Sequence, residues 1–288
     1  MGIGLLLAAQ QLGTIPGENL LSRTLSNSLH IPWFALMALL IWYLFAGHGA
    51  LWVLGIASAV AVVSEALQIP TGRDASWLDL GLDLIGAGLA SLGIALHVRN
   101  RDRPTRRRAG WAAILMLTLV VTLTAPAGIW LAYQERDRLF PRLFIADSWL
   151  LRPLAVSNSP ARRIAAPREW SAYAGRTVLE LRWADTRYPG IELQEVVGDW
   201  RCCRHLVMEL YVPGAEPLPV TAAVGHAGIR GTARYVPTVV APGAHRIEIP
   251  LEKLGAVGDN ARTITRLIVH TSRRYAGRRL LIADIYLR

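Results

Sequence analysis

The sequence predicts an α-helical polytopic membrane bundle of four to five spans followed by an all-β sandwich. Two observations carry this. Up to about Tyr133 the chain runs in long apolar stretches with few charges, most of them near the roughly 20 residues that cross a bilayer. Beyond about residue 170, apolar and polar residues alternate in short runs broken by Gly, Pro, Asp and Asn, the pattern of strands with one buried face. The 288 residues suffice for two domains, and 52% hydrophobic with 18% charged residues fits a chain divided in this way.

Residues 3–13 are apolar but too short to span alone, and Pro16, Gly17, Glu18 and Asn19 break them; whether they cross decides between four and five spans. Ile31 to Gly47 is the next span, with Trp33, Trp42 and Tyr43 towards its ends as interfacial aromatics. Leu51 to Leu67 follows, ending on Glu65 and Gln68 before Pro70, Thr71 and Gly72. Trp77 to Val98 carries Gly81, Gly86, Gly88 and Gly93, small residues that let helices approach closely. The last span is Trp111 to Tyr133, with Pro126 as a tolerated kink. No basic n-region precedes the first apolar run, so no cleavable signal peptide is expected.

The expected organisation is a transmembrane region over 1–100, an Arg-rich loop over 101–110, a last helix over 111–133, a charged connector over 134–169 and a β-sandwich over 170–288. Net charge is +10, and much of it lies in Arg99, Arg101, Arg103, Arg106, Arg107 and Arg108. No aromatics are interleaved there, so the run reads as a topology signal and not as a nucleic-acid patch. The positive-inside rule makes it cytoplasmic, which puts everything after Tyr133, and the turn between Gln68 and Ser76, on the outer side. Cys202 and Cys203 are adjacent; neighbours on a strand point to opposite faces, so two free thiols are expected. No spacing suits a metal and no motif implies a cofactor.

The polar residues within the apolar half stand out, because charge near a bilayer core costs several kcal/mol and is usually functional. Glu65 and Gln68 share one helical face, as do Asp79 and Asp83, with Gly86 continuing it. Arg73 lies in the turn between the pairs, placed to neutralise a carboxylate, and His30 starts the preceding span. A helical hairpin brings these groups together near the outer surface. A structural clasp and a ligand or catalytic site are both compatible with them. No nucleophile–base pair is evident, since Ser64 and Ser76 have no His partner beyond His30, and no catalytic residue is assigned.

The spacing Glu65-x-x-Gln68, Arg73, Asp79, Asp83, Gly86 resembles the signature of the VanZ-like family, over about residues 3–100. That family usually has Asn at the position of Asp83, and an Asp–Lys–x–x–His element of which His30 remains here, with Ser26 at the Asp position. The resemblance implies a small polytopic protein of the bacterial cytoplasmic membrane, surrounded by lipid. It also implies a link to teicoplanin-type glycopeptide resistance or envelope maintenance, with no settled biochemical activity.

The C-terminal part is similar to the jelly-roll, galactose-binding-like fold of carbohydrate-binding modules. Asp199-Trp200, Pro242-Gly243 and Asp284 fall on that pattern, with Cys203 at an aromatic position. A sugar face needs exposed flat aromatics beside planar hydrogen-bonding groups. Trp183, Asp185, Arg187 and Tyr188 are the candidates; Trp200, just before a strand, is expected to be core. The resulting expectation is a non-enzymatic envelope protein whose outer sandwich binds a glycan or a protein partner. The alternative is a transporter, flippase or intramembrane enzyme acting on a lipophilic or lipid-linked envelope precursor.

Overall fold

A computed structural model describes residues 19–45, 47–68, 76–196, 199–226 and 234–288. The stretch 3–13 and Arg73 lie outside the described residues. The chain divides into two compact units, residues 1–128 and 129–288.

The first unit is helical. α1 (Leu20–Ser28) is capped by Asn19, whose side-chain oxygen accepts from the Ser22 N–H at 2.8 Å. It leads directly into α2 (His30–Leu44), and together they form a 25-residue apolar stretch. α3 (Ala50–Gln68), α4 (Trp77–Arg99) and α5 (Pro104–Leu139) follow. Among the described residues these give four stretches long and apolar enough to cross a membrane. α5 starts inside the arginine run, so the expected loop over 101–110 shrinks to a short turn. Pro104 opens it because its fixed φ and missing N–H suit a first helical turn.

Packing follows the small residues. Phe34, Met37, Ala38 and Ile41 of α2 bury against Ala87, Ala90 and Ile94 of α4, and Val53, Ala57 and Ala61 of α3 join them. At Gly86 a Cβ would stand 2.2 Å from the Ile31 carbonyl oxygen, so α2 and α4 meet backbone to backbone there. A Cβ on Gly93 would stand 2.7 Å from the Trp111 ring. Outside this core, Tyr43, Leu51, Trp77 and Leu115 are largely exposed. So much uncovered apolar surface suits lipid and not water.

The second unit is a sandwich of two antiparallel sheets. Its strands are β1 (Arg142–Ile145), β2 (Ala155–Ser157), β3 (Ala161–Ala165), β4 (Thr177–Arg182), β5 (Gly190–Gln194), β6 (His205–Val212), β7 (Leu218–His226), β8 (Arg234–Val240), β9 (Gly243–Pro250), β10 (Ile264–His270) and β11 (Arg279–Leu287). One sheet has the order β3-β4-β11-β6-β9, with β1 also paired to β11; the other runs β2-β5-β10-β7-β8. Leu206, Met208 and Leu210 from the first sheet and Val220, Leu267 and Val269 from the second fill one core. The segment expected as a connector supplies three of these strands. β3 reads as charged sequence because it is an edge strand with mostly exposed residues, while β1 buries three of its four residues but is too short to show a period.

The outer face of the six-stranded sheet is closed over. Trp170 stacks on Tyr211 at 5.7 Å and packs on Tyr173, above Val178 and Leu281. Glu180, which alternation places on a wet face, is only 3% exposed. Arg162 bonds it through Nε and Arg279 Nη1 donates to it at 3.2 Å. Arg246 and the Tyr286 hydroxyl donate to Glu209 in the same way, at 2.7 and 3.2 Å. The Arg162 bond, more than any other contact, holds the Glu180 carboxyl below its usual range. Burial pushes Asp284 the other way, despite the Tyr173 hydroxyl 3.0 Å from it.

A lowered acid pKa contributes stability above the ordinary Glu value, and that stability is lost as pH falls through the folded value; raised Asp284 favours the native state as it takes up its proton. Glu180→Gln should therefore melt below wild type at pH 7. The gap should close as pH drops below about 4, read by β-sheet circular dichroism of the full chain in detergent. A gap independent of pH would show that the ion pairs contribute nothing.

Candidate functional site

Two places in the described residues gather side chains that the folding core does not need. The first is in the helical unit. Glu65, at the last turn of α3, accepts from the Gln68 amide at 2.9 Å. Its other oxygen accepts from the Ser76 N–H at 2.9 Å. Ser76 is also the N-cap of α4, taking the Asp79 N–H at 3.2 Å. One carboxylate thus ties the end of α3 to the start of α4. One turn further along α4, Asp83 has no exposed surface, and His30 Nδ1 lies 2.8 Å from its Oδ1. The structure brings together His30, Glu65, Gln68, Asp79 and Asp83, and Gly86 provides the close approach of α2 that puts His30 within reach.

The cluster joins helix ends by hydrogen bonds and also holds polar atoms that those bonds leave over. Among the described residues, Asp79 Oδ1, Asp83 Oδ2 and Ser64 Oγ are buried with no hydrogen-bond partner. Among the described residues no group of His, Cys, Asp and Glu has the arrangement of a metal site.

The second place is the outer face of the five-stranded sheet, which stays open where the six-stranded sheet is covered. Core-facing Leu267 and Val269 alternate along β10 with outward Arg266, Ile268 and His270. Register sets Ile268 beside Glu192 of β5 and Ala223 of β7, and Ala223 beside Tyr235 of β8. His270 pairs with Gly190 and Thr221, and Arg266 with Gln194 and Gly225.

Two exposed tyrosines flank His270 edge-on. Tyr188 lies 5.5 Å from it and Tyr235 5.9 Å, ring centre to ring centre, and the two are 55% and 61% exposed. Asn158 fixes the Tyr188 loop: its amide donates to the Tyr188 carbonyl at 2.8 Å and its oxygen accepts from the Gly190 N–H at 2.7 Å. Gly190 is required because a Cβ there would come within 2.4 Å of the Val269 carbonyl oxygen. The result is a sheet face that bears exposed rings beside polar side chains.

The four residues expected to hold a sugar separate. Trp183 is 1% exposed and belongs to the sandwich core, so it presents no ring to a ligand. The strand β4 ends just before it, and its backbone is still held, N–H to Arg278 and carbonyl from Gly277, which turns the indole inward. Asp185 is on the surface, paired with Arg273. Arg187 lies over the Tyr188 ring at 5.2 Å. Trp200 is fully buried, as expected. Tyr235, His270, Glu192 and Arg266 were not identifiable as one group from sequence. Alternation in β10 shows which of its residues face outward, but the strand order that joins them to β5 and β8 is not local.

Cys202 and Cys203 form a disulfide and are not free thiols. They sit in a turn before β6, not in a strand, so their side chains are not forced to opposite faces.

No family model matches the chain, and no curated protein matches it. Solved structures match its sandwich portion at low identity. The family 11 carbohydrate-binding module from Clostridium thermocellum, in complex with a beta-1,3-1,4-mixed-linked tetrasaccharide, is 11% identical over 46% of this chain and 85% of that one, with a TM-score of 0.35. A carbohydrate-binding module specific for non-crystalline cellulose is 8% identical over 52% and 93%, TM-score 0.39. A xylan-binding domain from Paenibacillus barcinonensis is 10% identical over 51% and 99%, TM-score 0.36.

Proposed function

We propose that this chain is a membrane-anchored, non-enzymatic glycan-binding protein of the bacterial cell envelope. The single observation that carries the reading is the open face of the five-stranded sheet, where Tyr188 and Tyr235 stand exposed on either side of His270. Exposed tyrosines on a rigid floor cost little entropy on binding and offer an apolar ring with a polar tip. Sugar C–H faces stack on such rings, and Glu192, Gln194 and Arg266 are placed to meet hydroxyls. The helices supply the anchor, and the arginine run from Arg99 to Arg108, across the start of α5, supports an outward-facing sandwich.

The spacing of Glu65, Gln68, Asp79, Asp83 and Gly86 supports a VanZ-like membrane half, and with it a part in envelope maintenance or glycopeptide resistance. In this reading His30 offsets the extra negative charge that Asp83 brings where the family has Asn, and the cluster serves as a clasp between helices.

The test is binding of purified full chain, in detergent, to immobilised cell-wall polysaccharides. Tyr188→Ala and Tyr235→Ala should each weaken binding about tenfold, the loss typical of an interface anchor, with unchanged melting. Absence of saturable binding to any saccharide at millimolar concentration overturns the proposal.

A further inference from the structure

Arg266 is placed in a way that structural need does not explain. Its side chain lies flat across β7 at Gly225: a Cβ at that glycine would stand 2.3 Å from Arg266 Nε and 2.6 Å from its Cγ. Gly225 has no positive φ, so the backbone does not demand glycine; the arginine above it does. The nearest carboxylate, Glu192, is 3.9 Å from Nη1, too far for a hydrogen bond. Among the described residues no hydrogen bond engages the guanidinium. A planar fork held against a sheet with its donors unspent is suited to bidentate capture of a planar or tetrahedral oxyanion.

The surroundings agree. Arg187 lies on the Tyr188 ring, beside His270. Asp185 is spent on Arg273, which leaves Glu192 as the acidic side chain facing Arg266 on this floor. Arg187 and Arg266 against the Glu192 carboxylate bias the face towards negative ligands.

We infer that this face binds an acidic glycan, with sugar rings on Tyr188 and Tyr235 and a carboxylate or phosphate group on Arg266. The inference rests on the glycan-binding reading and names its ligand class. The shared chemistry is an oxyanion on a saccharide or polyol chain, carried either by uronic acids or by phosphodiesters.

The experiment compares three probes on the full chain in detergent: polygalacturonate, a glycerol-phosphate polymer and a neutral β-glucan. Wild type should bind one of the acidic polymers at least about tenfold more tightly than the glucan; which one identifies the oxyanion. Arg266→Gln should remove that preference, bringing the acidic polymer down to the affinity of the glucan. Gly225→Ala should do the same with the charge intact, because the added methyl lifts Arg266 off the sheet. It clashes only with a flexible side chain, so it keeps the fold if Arg266→Gln does not. The arginines from Arg99 to Arg108 are common to all variants, so the differences report on the face alone. Equal affinity for acidic and neutral polymers, or a preference unchanged in both variants, overturns the inference while the glycan-binding reading stands. Binding to none of the three overturns the inference, and the cell-wall polysaccharides then decide the glycan-binding reading.

Discussion

Gly86→Ala should abolish the folded helical bundle. The added Cβ would meet the Ile31 carbonyl oxygen at 2.2 Å and its carbon at 3.0 Å. Both belong to helix backbone, which cannot move aside as a side chain can. α2 and α4 must separate by an ångström or more, opening the contacts of Phe34, Met37 and Ile41 on Ala87, Ala90 and Ile94. Overpacking of a tight core commonly costs about 1–3 kcal/mol, and a backbone clash in a helix pair that also positions His30 on Asp83 falls at the upper end or beyond. Size-exclusion chromatography in detergent should show aggregation or loss of the monodisperse peak. Asp83→Asn is the control. It removes a buried carboxylate while keeping an oxygen for His30, so it should shift the melting temperature by only a few degrees. A monodisperse Gly86→Ala protein with wild-type melting would show that the helices do not meet at this point.

Trp183→Ala should unfold the sandwich. The indole is 1% exposed, among the largest buried side chains, and sits in the core between the two sheets. Truncating such a residue costs about 3–5 kcal/mol, a large part of the stability of a domain this size. Denaturant unfolding followed by near-ultraviolet circular dichroism should show the midpoint collapse. The outcome separates two roles. A ring that stacks on sugar would lose affinity on truncation and leave the midpoint in place; a core ring loses the midpoint first. Tyr235→Ala, on the open face, should behave in the first way.

The signals legible in sequence were those of short range. The three- and four-residue spacings of Glu65 with Gln68 and of Asp79 with Asp83 placed each pair on one helical face, and the helices bear them out. Alternation along β4 and β9 turns Leu181 and Ile249 inward, where the core holds them. It failed for Glu180 because the sheet face it points to is covered by Trp170, Tyr173 and arginines, and nothing local announces that second layer. Trp183 was misplaced for a related reason. A Trp at the end of a strand followed by a polar loop has the same local signature whether its ring turns in or out. Local sequence makes Cys202 and Cys203 strand neighbours, and the turn that lets them join begins at Arg201, only four residues before β6.

By itself the sequence determined the division of the chain, because hydropathy over about 20 residues and the two- or 3.6-residue period are local consequences of backbone geometry. It also determined that the helical half holds a cluster of ionisable groups. Tertiary structure decided which groups meet. Gly225 and Arg266 are 41 residues apart, and Tyr188 and Tyr235 reach His270 from strands or loops distant in the chain. Strand order is set by how the two sheets bury their inner faces together, a property of the whole domain. The open face therefore appears only once the core has chosen its partners.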